Sequence, residues 1–277
     1  MVFLKIKEIS SRQNPTVLWA ASLAEKKYRE RHEAFLVEGV KLVCEALSLG
    51  LPVTHIFVSE SKKSAVFSVL EERGCLACLE SEALEVYTLS DACFEKISTE
   101  KAPQGIIAAV KYLDFFVRTD KINKDDVGAR ALFLSSVRDP GNLGAIVRSA
   151  VAFGVDTLIL SEDSADLYHP RVLRAAMGSL FRVRAITVQN ERGAVEQLRA
   201  LGRRVFAAEL REHALPIHAI GVQGSDVFVI GNEGHGLSAA LSAACDGSVY
   251  LPIVNGVESL NASVAASVLL WEQFRCE

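Results

Sequence analysis

From residue 131 to the end of the chain, short and almost wholly apolar runs alternate with helical stretches. The apolar runs cover residues 131–135, 157–160, 204–208, 227–230 and 249–251, and each is the length of one strand. The helical stretches fall at residues 142–153, 171–180, 194–201, 239–244 and 259–274. Strands that are apolar on both faces are typical of a parallel sheet covered by helices. Because ligands of such sheets bind beyond the carboxyl ends of the strands, we expect the chemistry in the loops there.

The first 112 residues carry a separate alternation of strands and helices. Strands are predicted at residues 35–37, 53–58 and 105–110, and helices at residues 15–31, 39–49 and 63–73. This pattern predicts a second, smaller α/β domain. Residues 113–130 are polar and charged, which is typical of a linker. We therefore predict a domain over residues 1–112, a linker over 113–130 and a larger domain over 131–277.

Composition excludes several classes of protein. Half of the 277 residues are hydrophobic, which excludes a disordered chain. The N-terminal segment carries charges at Lys5, Lys7 and Glu8, and no apolar run reaches the roughly 18 residues of a membrane span. The six cysteines are scattered, and the pair Cys75 and Cys78 lacks the two further ligands that a metal site needs. We expect a cytoplasmic protein with reduced thiols, no metal and no membrane partner.

The formal net charge of −4 argues at first against a nucleic-acid partner. Its distribution along the chain changes that conclusion. Residues 171–211 hold nine arginines against three acids, and residues 1–41 hold eight basic residues against five acids. Two basic segments are sufficient for a surface that follows a phosphate backbone. The acidic total therefore does not exclude RNA.

The first loop with unusual composition follows the strand at residues 131–135. It contains Asp139, Pro140 and Gly141, and the helix after it carries Asn142 and Arg148. Asn142 is a good candidate for the N-cap of that helix. Arg148 lies in an otherwise apolar helix, where a buried or half-buried arginine needs an ion-pair partner. Taken alone, both residues fit structural roles as well as functional ones.

The second loop, Gly231-Asn-Glu-Gly-His-Gly236, follows the strand at residues 227–230. Its three glycines let the backbone approach a ligand closely. The part from Gly234 onward resembles a dinucleotide fingerprint, although an alanine replaces the third glycine. Because Glu233 would repel a pyrophosphate, the loop favours a ligand without phosphates. His235 alone fits a solvent-exposed loop residue.

The third loop runs from Leu251 through Pro252 to Ser259, Leu260 and Asn261. Ser259 is a candidate N-cap for the small, apolar helix that follows. Asn261 is a weak helix former, so it needs a hydrogen-bonding purpose, and helix capping is one. Each of the three loops fits a structural reading by itself. Together they place Gly, Asn, Ser, Glu and Arg at the carboxyl ends of three strands.

In order and spacing, these loops resemble the three motifs of the SpoU/TrmH branch of the SPOUT superfamily, the RNA 2′-O-ribose methyltransferases. The segment 168–181 is similar to the family's stretch between the first two motifs. Asn14-Pro, Phe35-Leu-Val-Glu-Gly39 and Pro103-Gln-Gly-Ile106 resemble the family's RNA substrate-binding domain. Two small departures are Asn255, where many members have Gly, and Ala262, where Val is more frequent. The resemblance covers nearly the whole chain.

The resemblance implies a knotted parallel sheet, with a deep C-terminal trefoil knot and a smaller N-terminal α/β RNA-binding domain. It implies S-adenosylmethionine as cofactor, ribosomal RNA rather than transfer RNA as substrate, and a homodimer that completes the active site. The implied catalytic residues are Arg148, Asn142, Glu233, Ser259 and Asn261. The implied cofactor-binding residues are Gly231, Leu251, Leu260, Asn232 and Gly236. The residues that we expect to bind RNA are Arg171, Arg174, Arg12 and Lys27.

By this resemblance Arg148 lies beside the ribose 2′-hydroxyl. Since an arginine pKa lies above about 12, we favour electrostatic stabilisation of the developing alkoxide over general-base catalysis. Two other interpretations stay open. The chain could be an inactive RNA-binding module of the same fold, or a dinucleotide-dependent enzyme that uses the loop at Gly234. Intact candidate residues argue against the first, and the absence of an opening dinucleotide βαβ unit argues against the second.

Overall fold

The computed structural model describes residues 5–232, 234–254 and 259–276. The chain divides into two compact units, one of residues 5–113 with 168–181 and one of the described residues of 114–167 with 182–276. Glu233, residues 255–258 and residue 277 lie outside the described residues. The helices and strands are numbered along the chain. No helix in the described part of the chain is long and apolar enough to cross a membrane.

The first unit contains a five-stranded mixed sheet with the strand order β1-β4-β3-β5-β2. Its strands are β1 (Ile6–Ile9), β2 (Ala34–Glu38), β3 (Val53–Ser59), β4 (Glu85–Leu89) and β5 (Ile106–Lys111). Its helices are α1 (Pro15–Ser22), α2 (Lys26–His32), α3 (Val40–Ser48), α4 (Lys63–Glu72), α5 (Asp91–Ile97) and, from later in the chain, α7 (Pro170–Ala176). Strand β5 runs antiparallel to both of its neighbours, whereas β1, β4 and β3 are parallel.

Two details of the first unit differ from the sequence prediction. The helix predicted over residues 15–31 is two helices, because the chain turns at residues 23–25. The buried side chain of Arg29 on α2 donates hydrogen bonds to the carbonyl oxygens of Leu23 at 2.9 Å and Ala24 at 2.7 Å. These bonds satisfy backbone acceptors at the end of α1, which a continuous helix would use itself. Strands β1 and β4 and helix α5 were not predicted from the sequence pattern.

The second unit contains an eight-stranded sheet in which every strand pair is parallel, with the order β11-β13-β10-β12-β7-β8-β9-β6. Its strands are β6 (Phe116–Arg118), β7 (Ala131–Leu134), β8 (Thr157–Ser161), β9 (Arg184–Val188), β10 (Val205–Ala208), β11 (Leu215–Pro216), β12 (Val227–Ile230) and β13 (Gly247–Tyr250). Its helices are α6 (Pro140–Ala152), α8 (Glu191–Ala200), α9 (Ala239–Ala244) and α10 (Ala262–Arg275). The predicted parallel α/β sheet is confirmed.

The stretch predicted as a linker contributes to the second unit. Residues 116–118 form β6 at the edge of the sheet, parallel to β9. Ile122 and Val127 are buried in the same apolar core as Phe133 and Ile159. Although this stretch is mostly polar, a few of its apolar side chains are buried in the core, so it is part of the second unit.

The strand order of the second unit reverses beside β7. The chain passes from β7 to β8 and β9 on one side, and then to β10, β12 and β13 on the other. In parallel sheets such a reversal leaves a crevice at the carboxyl ends of the strands. The central strands β7, β8 and β12 are buried along their whole length, which gives this edge a rigid base.

Candidate active site

A cavity of about 740 Å³ lies at the carboxyl ends of β10, β12 and β13. Its volume falls within the range of about 300–1,000 Å³ that is usual for small-molecule sites. All five residues predicted to bind the cofactor line it: Gly231, Asn232, Gly236, Leu251 and Leu260. Ser259, predicted as catalytic, lines it as well. Two loops far apart in sequence therefore meet at one cavity, as the rule for parallel strands predicts.

The glycine-rich loop after β12 needs glycine at two positions for steric reasons. A Cβ atom added at Gly231 would lie 2.7 Å from the carbonyl carbon of Gly236, because the loop folds back on itself. Gly236 has φ of +64°, a left-handed conformation that favours glycine. Glu233 lies outside the described residues, so its predicted role stays a prediction.

Asn232 organises this loop through both ends of its side chain. Its Oδ1 accepts hydrogen bonds from the backbone N–H groups of Gly234 at 2.9 Å and His235 at 3.2 Å. Its Nδ2 donates to the carbonyl oxygen of Ser136 at 2.9 Å. The amide is thus engaged with the backbone of two loops. Asn232 shapes the wall of the cavity through these bonds.

Sequence analysis missed the loop after β10, which forms another wall of the cavity. Glu209 and Arg211 line the cavity and form an ion pair, with 2.9 Å between Glu209 Oε2 and Arg211 Nε. The Glu209 side chain is only 8% exposed and also accepts hydrogen bonds from Ser242 at 3.0 Å and Ser248 at 2.7 Å. The loop lies at the carboxyl end of a predicted strand, so the rule that found the other loops applies to it too.

The first and third motifs meet at the N-termini of α6 and α10. Asn261 Nδ2 donates a hydrogen bond to Asn142 Oδ1 at 3.0 Å. Asn261 also caps α10, since its Oδ1 accepts from the N–H of Ser263 at 2.9 Å. The proposed capping role of Asn261 is therefore seen, and its amide nitrogen additionally joins the two motifs.

Two predicted helix caps are wrong. Asp139, not Asn142, caps α6, and its carboxylate accepts from the N–H of Asn142 at 2.8 Å. Pro140 then occupies the first helical position, where its missing N–H costs nothing. Ser259 does not cap α10, because the helix begins three residues later at Ala262.

Arg148 is exposed, so the expectation of a buried or half-buried arginine is wrong. The buried face of α6 consists of Leu143, Gly144, Ile146, Val147 and Ala150, and Arg148 lies on the other face. Within residues 5–232, 234–254 and 259–276, Arg148 shows no ion pair or hydrogen bond, and it does not line the cavity. Its guanidinium is therefore available to a substrate.

The loops after β7 and β8 form a dense polar network beside the cavity. Asp163 accepts hydrogen bonds from the hydroxyls of Ser136 and Ser161 and pairs with Arg138, at 2.6 Å from Nη2 to Oδ2. Although partial burial opposes ionisation, these donors lower the pKa of Asp163 to about 2. Asp163 is an anion at any physiological pH.

The four residues predicted to bind RNA all lie in the first unit. Arg12 and Lys27 are exposed, on the loop after β1 and on α2. Arg171 is exposed at the start of α7. Arg174 pairs with Glu100, at 2.9 Å from Nη1 to Oε1, and also donates to Thr99 Oγ1 at 2.9 Å.

The local charge excess of residues 171–211 is smaller in space than along the chain. Among the described residues, the arginines at 174, 192, 199, 204 and 211 form ion pairs, and three of these partners come from outside the segment, namely Glu100, Asp226 and Asp246. Folding brings these acids next to the basic segment. A count along the sequence therefore overstates the charge that is available to RNA.

The fold and the site define a class of protein: an α/β enzyme whose parallel sheet leaves a cavity for a small ligand beyond its strand ends. The model of the SpoU rRNA Methylase family matches residues 129–271. The model of the MRM3-like substrate binding domain matches residues 14–108. The chain belongs to the SpoU rRNA methylase family, and the resemblance seen in the three loops is confirmed.

Individual relatives agree with this assignment. The 23S rRNA (guanosine(2553)-2′-O)-methyltransferase of Bacillus subtilis is 32% identical over 96% of this chain and 98% of its own length. The 23S rRNA (uridine(2479)-2′-O)-methyltransferase of Streptomyces viridochromogenes is 30% identical over 97% of this chain and 92% of its own. The crystal structure of an AdoMet-bound rRNA methyltransferase from Sinorhizobium meliloti has a TM-score of 0.80 and 27% identity, and the match covers 98% of each chain.

Proposed function

We propose that this protein transfers a methyl group from S-adenosylmethionine to a ribose 2′-hydroxyl of ribosomal RNA. The single observation that carries the proposal is the cavity beyond β12 and β13, which gathers all five candidate cofactor residues. Family membership supports the same activity. The 2′-hydroxyl specificity and the ribosomal substrate follow the relatives named above.

The cavity fits S-adenosylmethionine by size and by chemistry. Gly231 and Gly236 line the cavity without side chains, so backbone atoms form the wall there and a flat adenine ring can approach it closely. The side chains of Leu237, Leu251 and Leu260 supply apolar wall. The Glu209–Arg211 pair adds no net charge. When bound, the cofactor would supply a sulfonium methyl group: an oxygen nucleophile would bond to the methyl carbon as the carbon–sulfur bond breaks, and S-adenosylhomocysteine would leave.

Arg148 acts on the RNA hydroxyl. It is exposed and has no partner among the described residues, so its guanidinium can face the 2′-oxygen and stabilise the negative charge that develops there as the hydroxyl proton passes to solvent water. A guanidinium keeps its own proton at neutral pH, which favours this electrostatic role. The Asn142–Asn261 hydrogen bond holds the first turns of α6 and α10 together and so keeps Arg148 at a constant position. Ser259 and Glu233 complete the proposed catalytic set.

RNA is proposed to bind through the first unit and through its basic residues Arg12, Lys27, Arg171 and Arg174. The match of residues 14–108 to a substrate binding domain supports this role. Arg12 and Lys27 are exposed, which phosphate contacts require. Ribosomal RNA is preferred over transfer RNA because both named relatives act on 23S rRNA.

The assembly is proposed to be a homodimer with a deep trefoil knot in the second unit. Helix α10 supports the dimer, since Val264, Val268 and Trp271 repeat at helical spacing and are 48%, 38% and 47% exposed. An apolar stripe of this kind is typical of a covered interface. We also propose that the protein works in the cytoplasm, with its ribosomal substrate.

The decisive experiment combines cofactor binding with product mapping. Calorimetry should show binding of S-adenosylhomocysteine and none of NAD. Ribosomal RNA from a strain that lacks the gene should accept radiolabelled methyl groups, and mapping should find one new 2′-O-methyl nucleotide. Cofactor binding without transfer to any RNA would support the inactive RNA-binding module. Binding of NAD instead would support the dinucleotide-dependent enzyme.

A further inference from the structure

The loop after β7 contains a residue in an unfavourable backbone conformation. Ser136 has φ of +55°, in the left-handed region that residues other than glycine seldom adopt. Such a conformation persists only where the surrounding contacts impose it. The contacts of Ser136 must therefore offset the cost of its backbone conformation.

Two hydrogen-bonding groups of Ser136, its N–H and its hydroxyl, hold it in this conformation. Its backbone N–H donates to Ser161 Oγ at 2.7 Å. Its hydroxyl donates to both carboxylate oxygens of Asp163, at 2.9 and 2.8 Å. Ser161 ends β8 and Asp163 lies in the loop after it, so the loop after β8 holds the loop after β7.

Asp163 is itself firmly held. Its Oδ1 accepts a hydrogen bond from Ser161 Oγ at 2.7 Å, and its Oδ2 lies 2.6 Å from Arg138 Nη2. Charge-assisted hydrogen bonds of this kind are stronger than bonds between neutral groups. The carboxylate is thus a rigid anchor for the Ser136 side chain.

The consequence of the Ser136 conformation appears at the cavity wall. The carbonyl oxygen of Ser136 accepts the hydrogen bond from Asn232 Nδ2 at 2.9 Å. Asn232 Oδ1 in turn accepts from Gly234 and His235, which closes the turn of the glycine-rich loop. A continuous chain of hydrogen bonds therefore leads from Asp163, which does not line the cavity, to a loop that does.

We propose that Asp163 is a positioning residue for cofactor binding: through Ser136 and Asn232 it holds the glycine-rich loop in the shape that receives S-adenosylmethionine. The inference rests on the proposed function, because it concerns the same cavity. Asp163 holds the loop in this shape already in the cofactor-free protein. Its removal should weaken cofactor binding and leave the chemical step intact once the cofactor is saturating.

The test uses substitutions at both ends of the first link. Asp163→Asn removes the charged acceptor, and Ser136→Ala removes the donor while the strained backbone stays. In either variant we expect the Kd for S-adenosylhomocysteine and the KM for S-adenosylmethionine to rise about tenfold, with kcat within about twofold of wild type. Ser136→Gly should bind almost as the wild type does, because glycine adopts a positive φ without help. Adding Ser136→Gly to Asp163→Asn should restore part of the lost affinity.

Glu162→Gln is the matched control. Glu162 is the neighbouring residue, and its exposed carboxylate pairs with Arg118 at 3.1 Å without any hydrogen bond to Ser136. This variant should bind S-adenosylhomocysteine with the wild-type Kd. Circular dichroism on each variant separates a loss of binding from a loss of fold.

Each outcome decides the proposal. A wild-type Kd in folded Asp163→Asn or Ser136→Ala overturns it. A fall in kcat at unchanged KM also overturns it, because the role would then lie in the chemical step. If Asp163→Asn does not fold, Ser136→Ala decides by itself, because it removes the hydroxyl that donates to Asp163. If the wild type itself does not bind S-adenosylhomocysteine, the proposed function fails first and this inference fails with it.

Discussion

The carboxyl edge of the parallel sheet has two sides that differ in kind. On one side, the loops after β10, β12 and β13 leave a cavity of about 740 Å³. On the other side, the loops after β7 and β8 bind each other through Ser136, Ser161 and Asp163. The strands beneath both sides are short and parallel; β7, β8 and β12 are buried throughout and β10 nearly so, whereas β13 is only partly buried.

The difference between the two sides comes from the loop residues. On the open side, Gly231 and Gly236 have no side chain and Leu251 and Leu260 have no polar group, so these lining residues form no side-chain hydrogen bonds across the cavity. Serine and aspartate side chains bond to nearby backbone and to each other, so their loops close. An open side and a closed side are both useful, because a ligand needs room and a rigid wall. Asn232 connects the two sides through its bond to Ser136.

The largest effect should come from a residue on neither side. Arg148→Ala should reduce the rate of methyl transfer by at least about 100-fold, because the charge that develops on the 2′-oxygen loses its stabilising cation. The Kd for S-adenosylhomocysteine should stay within about twofold, since Arg148 does not line the cavity. Single-turnover assays with RNA and calorimetry measure the two quantities.

Arg192→Ala serves as the control for Arg148→Ala, because Arg192 is an exposed helical arginine that pairs with Glu196 at 2.8 Å. It should transfer methyl groups at the wild-type rate. Transfer at the wild-type rate by Arg148→Ala would show that the assignment of Arg148 is wrong.

The second effect tests the open side. Gly231→Ala places a Cβ 2.7 Å from the carbonyl carbon of Gly236 and should move the cavity wall. We expect the Kd for S-adenosylhomocysteine to rise at least about tenfold. Gly234→Ala is the control within the same loop, because its Cβ would meet only Asn232 Oδ1, at an ordinary 3.5 Å. Equal affinities in the two variants would contradict the proposed role of the open side.

The third effect separates RNA binding from cofactor binding. Replacing Arg171 and Arg174 by Gln should weaken RNA binding several-fold. The slope of the logarithm of the RNA-binding constant against the logarithm of the salt concentration should become less steep by about one for each lost phosphate contact. Binding of S-adenosylhomocysteine should not change, which is the reverse of Gly231→Ala. Filter binding at several salt concentrations measures this. A salt slope equal to that of the wild type would show that these arginines do not contact RNA phosphates.

The smallest effect concerns the stability that the fold loses by burying the Glu191 carboxylate near Asp163. Burial, together with the nearby Asp163 charge, raises the pKa of Glu191, although a hydrogen bond from Ser135 partly opposes this. A carboxyl group with a raised pKa in the folded state stabilises the fold only at low pH, and this contribution is lost as pH rises through the folded pKa. Glu191→Gln should therefore raise Tm by a few degrees at about pH 7.5 and give no gain at about pH 4. Differential scanning calorimetry at both pH values decides, and an equal change at both would refute the assigned cause.

Much of the second unit was predictable because its signals are local. A strand that is buried on both faces is a continuous apolar run, so the central strands β7, β8 and β12 could be predicted almost to the residue. The glycine-rich loop is recognisable from its composition, with three glycines in six residues. Once the strands are parallel, their loops must share one edge, and the resemblance to the family's motifs indicated Gly231 and Leu251 within those loops.

Other features depended on which of several candidate partners a residue contacts in the folded chain. The N-cap of α6 went to Asp139 because its carboxylate reaches the N–H of Asn142, a choice that composition alone leaves open. Arg174 looked like a free cation until Glu100 was brought beside it. Strand β6 looked like linker because its three residues need β9 to become a strand.

The sequence by itself determined the parallel α/β architecture and the loops at the strand ends, since periodicity and loop composition act over a few residues. Its resemblance to the family's motifs indicated the cofactor residues within those loops, but it did not indicate the cavity wall after β10. Only the tertiary structure decided which charges stay free, which loop closes on which, and that Ser136 takes a left-handed conformation to receive Asn232. These features arise from hydrogen bonds and ion pairs between residues far apart along the chain, such as Ser136 and Asn232 or Arg174 and Glu100. Their energies depend on distances that exist only after the strands have been set side by side.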